Sequence, residues 1–138
     1  MVRGSCLCGG VRFELAEVPL IALCHCSMCR KANGSAFEAG AAVPSSSVRL
    51  TAGQDLIQQY ESSPGTRRNF CRVCGSRVPS QSKDGRIHFV PAGLLDDDPG
   101  VRPALHMFVG SKAPWWEITD DLPRFEEWVP GYGPDGPD

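Results

Sequence analysis

Three cysteines stand within six residues in Cys24-His25-Cys26-Ser27-Met28-Cys29, spaced C-x-C-x-x-C, so their sulfurs can converge on one ion without help from distant chain. Structural zinc takes four protein ligands, whereas catalytic zinc keeps three and leaves the fourth position to water or substrate. A trio of thiolates therefore points to a metal centre with an open corner. Two further pairs, Cys6-x-Cys8 and Cys71-x-x-Cys74, supply two sulfurs each, together the four of a closed tetrahedral site. These pairs lie more than sixty residues apart, so a shared ion would staple the N-terminal strand to the middle of the chain. A different partition of the seven cysteines over two ions stays open, as does closure of the trio by a histidine. His25 sits between two ligands, with its ring expected to point away from the ion; His88 and His106 fall on expected strands. A zinc with three thiolates and one water is negatively charged and a poor Lewis acid, better suited to holding an incoming thiol as thiolate near an electrophile.

Those sulfurs need a scaffold, and the composition describes one. The 138 residues suit one domain, expected over residues 1–128, followed by a loose Gly/Pro-rich tail over 129–138. Seven cysteines is an odd number, and their grouping in knuckles favours metal over a redox pair, disulfides or inert buried thiols. The net charge of −2 offers no general attraction to nucleic acid or anionic membrane. No apolar run reaches the roughly 20 residues of a membrane span, and the first residues lack a signal-peptide layout. The expectation is a soluble cytoplasmic protein that binds neither nucleic acid nor membrane.

Along the chain, Val11-Arg12-Phe13-Glu14-Leu15 alternates as a half-buried strand, entered through Gly9-Gly10, which lets the backbone turn tightly and aim N–H groups at sulfur. Leu20-Ile21-Ala22-Leu23 is an apolar approach to the central knuckle, and Arg30 to Gly34 allows at most a short helical turn ending at the glycine. Strands are expected at 36–43, 47–50, 56–60, 68–71, 86–90, 106–109 and 115–118, separated by Gly and Pro turns. Fifteen glycines and twelve prolines reinforce a mostly β domain of short strands. Cys71-Arg72-Val73-Cys74-Gly75-Ser76 has the form of a zinc-ribbon turn, and Asp96-Asp97-Asp98-Pro99 reads as a solvated turn.

The segments Gly4-Ser5-Cys6-Leu7-Cys8-Gly9-Gly10-Val11, Cys24-His25-Cys26-Ser27-Met28-Cys29-Arg30-Lys31, Arg68-Asn69-Phe70-Cys71-Arg72-Val73-Cys74-Gly75-Ser76, His106-Met107-Phe108-Val109 and Ala113-Pro114-Trp115 resemble the glutathione-dependent formaldehyde-activating enzyme family, which includes centromere protein V. The resemblance runs from about Gly4 to Trp128 and covers all seven cysteines. It implies a single zinc-stapled domain of short antiparallel strands, of the β-tent type. It also implies a structural zinc on Cys6, Cys8, Cys71 and Cys74 and a labile catalytic zinc on Cys24, Cys26 and Cys29. The implied activity is that of a carbon–sulfur lyase joining glutathione to formaldehyde as S-(hydroxymethyl)glutathione. Glutathione's two carboxylates call for cations, for which Arg30, Lys31, Arg68 and Lys112 lie near the motifs, with Trp115 as a pocket wall. The rival readings are a thiol-dependent lyase acting on another electrophile and a non-enzymatic zinc module. Oligomeric state has no signal in the sequence.

Overall fold

The computed structural model describes residues 1–130, so most of the expected tail, from Gly131 onward, lies outside the described residues. Among the described residues there are ten strands: β1 (Val2–Ser5), β2 (Arg12–Leu15), β3 (Ile21–Cys24), β4 (Glu38–Pro44), β5 (Val48–Ala52), β6 (Ile57–Ser63), β7 (Thr66–Cys71), β8 (Ser80–Gln81), β9 (Ile87–Pro91) and β10 (Pro103–Met107). One α-helix, α1 (Ser27–Asn33), follows the central knuckle. The chain is mostly β, as the turn-rich composition predicts. It divides into two compact units, one of Met1–Ile21 with Gly40–Arg102, the other of Ala22–Ala39 with the segment from Pro103.

In the first unit β1, β2 and β5 form an antiparallel sheet in that order. The alternation in β2 does what the pattern predicts: Phe13 and Leu15 are buried, as is Val11 just before the strand. Gly4 pairs with Phe13 and has no side chain for a steric reason, since a Cβ there would sit 2.2 Å from the Phe13 ring. Strands β6 and β7 form a hairpin, turned at Pro64-Gly65 with Gly65 at φ 76°. Strand β9 pairs antiparallel with both β4 and β8. A buried cluster of Cys6, Val11, Cys71 and Val78, packed by Leu50, Leu56 and Ile57, places two thiols inside apolar core.

The acidic run is more than a solvated turn. Arg3 donates from its backbone N and Nε to Asp97 Oδ2 and from Nη2 to Asp97 Oδ1, while Ser5 Oγ donates to Asp96 at 2.9 Å. Asp96 N–H donates to the Arg3 carbonyl at 2.8 Å. The run thus ties β1 to the chain after β9, an arrangement between residues more than ninety apart that local composition does not encode.

In the second unit β10 lies beside β3. The apolar approach to the knuckle is itself a strand, in which Ile21 and Leu23 are buried. Helix α1 ends at Gly34 as expected, in the left-handed conformation at φ 61°, but it starts three residues earlier than the sequence suggests. The reason is an unusual N-cap: Cys26 Sγ accepts the Cys29 N–H at 3.3 Å, doing what a Ser or Asp oxygen ordinarily does. The expected strand at 106–109 stops at Met107 because Phe108 takes φ 56°. The strand expected at 115–118 is absent. Pro114 has no N–H to offer a ladder, Trp116 N–H closes a turn on the Ala113 carbonyl at 3.1 Å, and Lys112 Nζ occupies the carbonyls of Ala113 and Trp116.

Candidate metal centres

All seven cysteines are free thiols, and they gather in two clusters. Cys6, Cys8, Cys71 and Cys74 bring four sulfurs within 4.8 Å of one another; Cys24, Cys26 and Cys29 bring three within the same limit. Each compact unit holds one cluster.

The four-sulfur cluster is built from two tight turns. At the first, Gly9 adopts φ 76°, its N–H donates to the Cys6 carbonyl at 2.9 Å, and Val11 N–H donates to Cys6 Sγ at 3.3 Å. A Cβ on Gly10 would meet Leu56 at 2.6 Å, so the second glycine lets Leu56 close over the knuckle. At the second turn Gly75 adopts φ 78°, and its N–H donates to the Cys71 carbonyl at 2.7 Å. Leu7 N–H donates to Ser76 Oγ at 3.0 Å, linking the turns. Sulfur–sulfur distances are 3.6 Å for Cys6–Cys8 and 3.8 Å for Cys8–Cys71. Tetrahedral zinc with Zn–S bonds of about 2.3 Å sets its sulfurs about 3.8 Å apart, so the donor set fits that ion. The hydrogen bond with Ser76, followed by backbone N–H groups, pulls the Cys74 thiol down to about 5.

The three-sulfur cluster spans the end of β3 and the first turn of α1, which is why the short C-x-C-x-x-C spacing suffices. Crowded thiols without a cation resist ionisation: Cys24 is pushed up to about 12, first by its hydrogen bond with Cys26, and Cys29 is raised first by Cys24. A positive charge among the sulfurs would remove that penalty, and the three thiols, with no fourth ligand grouped with them among the described residues, could hold a metal ion.

His25 is not among the ligands. Its ring is fully buried, Nε2 lies 2.8 Å from His106 Nδ1, and burial, then the charges of His106, Lys112 and Arg30, push it down to about 4. The ring packs 5.2 Å from Phe37, which meets Trp116 edge-on at 5.7 Å. His106 is also buried, and its Nε2 bonds Asp120 at 3.0 Å. This pairing was not legible: the residues are 81 positions apart, and Thr119-Asp120-Asp121 carries no motif. His88 on β9 instead bonds Ser45 Oγ at 2.9 Å.

Of the residues expected to meet substrate, Arg30 and Lys31 lie in the last turn of α1, Lys112 follows the short 3₁₀ turn Val109–Ser111, and Trp115 is 69% exposed. These four share the second unit with the three-sulfur cluster. Arg30 Nε is buried without a partner among the described residues, whereas Lys112 Nζ is engaged by carbonyls. Arg68 belongs to β7 in the first unit, where its Nε donates to Ser62 Oγ at 3.1 Å.

The chain is mostly β and carries two thiol clusters, one of four sulfurs and one of three, each of which could hold a metal ion. Sequence comparison makes the class specific: residues 1–111 match the glutathione-dependent formaldehyde-activating enzyme family, and the chain belongs to it. A Halomonas elongata protein whose name gives it as a candidate enzyme of this kind is 27% identical over 86% of this chain and 81% of its own length. Similarly named proteins from Phaeosphaeria nodorum and Colletotrichum graminicola are each 29% identical over 64% of this chain. The match spans 48% of the length of each of these fungal relatives. The crystal structure of a Rhodobacter sphaeroides protein is similar at a TM-score of 0.59 and 26% identity, covering 73% of this chain and 91% of that one.

Proposed function

We propose that this protein is a zinc-dependent carbon–sulfur lyase-class enzyme that joins glutathione to formaldehyde, giving S-(hydroxymethyl)glutathione. The observation that carries the reading is the three-sulfur cluster, with which no fourth ligand groups among the described residues, His25 bonding His106 instead. Cys24, Cys26 and Cys29 would hold a catalytic zinc, and Cys6, Cys8, Cys71 and Cys74 a structural one. Zinc bound by the trio would supply positive charge that favours the deprotonated form of an incoming thiol.

The chain's residues do the rest. Cys24 is fixed by the end of β3, Cys26 as the N-cap of α1 and Cys29 by the first turn of that helix, so the sulfurs would present a preset face to the glutathione thiol. Arg30, its Nε buried without a partner among the described residues, and the exposed Lys31 would offer positive charge to glutathione carboxylates, with Lys112 and Trp115 in the same compact unit. In the addition a C–S bond forms, the carbonyl π bond opens, and the proton released by the thiol ends on the former carbonyl oxygen. A reducing, cytoplasmic setting would keep the thiols available.

Glutathione and formaldehyde combine without help, so the test is a rate. Exchange NMR on their equilibrated mixture should show faster interconversion with the zinc-loaded protein and only the uncatalysed rate with the Cys26→Ser variant. Equal rates with and without the protein would sink the formaldehyde reading, and acceleration with a different aldehyde or thiol adduct would redirect it.

A further inference from the structure

His25, the residue between two of the cluster's cysteines, is held twice by β10. Its main-chain N–H donates to the Met107 carbonyl at 2.9 Å, and its ring Nε2 meets His106 Nδ1 at 2.8 Å. The second bond continues outward, because His106 Nε2 lies 3.0 and 3.1 Å from the two oxygens of Asp120. Along this string exposure rises from 0% at His25 and 2% at His106 to 45% at the Asp120 side chain. Asp120 is itself fixed: its Oδ1 accepts the Leu122 N–H at 3.0 Å, and its main-chain carbonyl accepts from Arg124 at 3.1 Å. The main chain of His106 is likewise pinned, donating to the Pro123 carbonyl at 2.9 Å and accepting from Phe125 N–H at 3.0 Å.

The chemistry of the string dictates its proton arrangement. Ionised carboxylate oxygens only accept, so His106 carries its proton on Nε2. Its Nδ1 is then a lone pair, and the 2.8 Å contact requires His25 to donate from Nε2. For two neutral rings this is the one arrangement that satisfies both bonds. It leaves the lone pair of His25 Nδ1 as the buried atom without a partner among the described residues.

We infer that His106 and Asp120 are positioning residues for the Cys24–Cys26–Cys29 centre: the carboxylate fixes the His106 tautomer, which fixes the His25 ring, and so the peptide carrying two ligand sulfurs. With main chain and ring both anchored, His25 has no torsion that turns without breaking one of the bonds. Cys24 and Cys26, two apart on an extended segment, share one face with the His25 ring on the other, so rotation of the His25 backbone would displace both sulfurs. This inference rests on the reading of the trio as a metal centre. Groups that orient a metal ligand through hydrogen bonds typically change metal affinity about 10–100-fold when lost.

The test uses the full zinc-loaded chain as wild type, Asp120→Ala and Asp120→Asn, the last keeping an oxygen that can accept from His106. Long-range proton–nitrogen NMR reads the ring tautomers, and metal release to a chelating dye is timed for each equivalent. The wild type should bind two equivalents and show both rings protonated at Nε2. Asp120→Ala should mix the tautomers of His106 and His25 and release one equivalent about tenfold faster, leaving the other unchanged. Asp120→Asn should restore both readouts towards wild type. Unchanged nitrogen shifts or unchanged release in Asp120→Ala overturns the inference while leaving the metal reading intact, as does identical behaviour of the two variants. A wild-type protein that binds a single equivalent overturns the metal reading itself, and the inference with it.

Discussion

Cys26 has three tasks that chemistry seldom gives one side chain: it is a sulfur of the three-thiol cluster, it accepts the Cys29 N–H as the N-cap of α1, and it flanks the buried His25. A serine there can still cap, since hydroxyl oxygens are good N-cap acceptors, but it is a poor zinc ligand. Cys26→Ser should therefore lose one of two zinc equivalents while the far-UV spectrum and the thermal midpoint stay close to wild type. Cys74→Ser meets a different environment. Its cluster includes Cys6 and Cys71, which are buried against Val11 and Val78, so an unligated cluster leaves polar thiols in the apolar core. A loss of about 2–3 kcal/mol, or roughly 7–10 °C in midpoint, is expected for Cys74→Ser, measured by thermal unfolding of the zinc-loaded proteins. Equal midpoints for the two variants would contradict this division of labour.

Between residue and whole, the elements are joined by contacts of two kinds, only one of which a sequence displays. Gly53 adopts φ 79°, and a Cβ there would lie 2.1 Å from the Gly10 carbonyl oxygen, so the turn after β5 can approach the first knuckle only as glycine. Gly53→Ala should cost about 1–3 kcal/mol, read as a lower urea midpoint. Arg3 and Asp97 make the other kind of join, across 94 residues. The bidentate arginine and the Arg3 backbone N–H hold the Asp97 carboxyl well below the usual carboxylate range. A carboxyl whose folded pKa is depressed stabilises the fold above its unfolded pKa, near 3.9, and loses that contribution as pH falls below it. The wild-type urea midpoint should drop between about pH 4 and pH 2, and Asp97→Asn should be lower at neutral pH with a flatter acid limb. A parallel pair of curves would assign the acid loss to the other depressed carboxyls, Asp84, Asp98 and Asp120. The alternation of β2, the two glycine knuckles and the Gly34 stop were legible because each is a local rule. The Arg3–Asp97 clamp, the early start of α1 on a sulfur cap and the loss of a strand after Pro114 were not, since each depends on a partner or a torsion that composition does not name.

At the scale of the whole molecule, the partition of sulfurs coincides with the partition of the fold: the four-sulfur cluster lies in the unit of Met1–Ile21 and Gly40–Arg102, the three-sulfur cluster in the other. Counting cysteines along the sequence leads to the same two groups of sulfurs that the structure brings together, because C-x-C and C-x-x-C spacings already restrict which sulfurs meet. The His25–His106–Asp120 string escaped it because hydrogen bonds between distant rings leave no spacing to count. On the proposed reading the two clusters hold zinc with unequal numbers of sulfurs, and the two ions should leave one after the other when zinc is stripped. A chelator can attack a three-thiolate ion at its open position, whereas a four-thiolate ion must first give up a sulfur, here two of them buried in apolar core. Titrating the zinc-loaded protein with a strong chelator should thus remove one equivalent early, with the far-UV spectrum intact. The second should leave only at higher chelator concentration, together with the β signal, because zinc bound to the folded state alone adds its binding free energy to stability. Loss of both equivalents in one step, with unfolding, would mean that the three-sulfur centre is as structural as its neighbour and that its vacant position is not open to an incoming thiol.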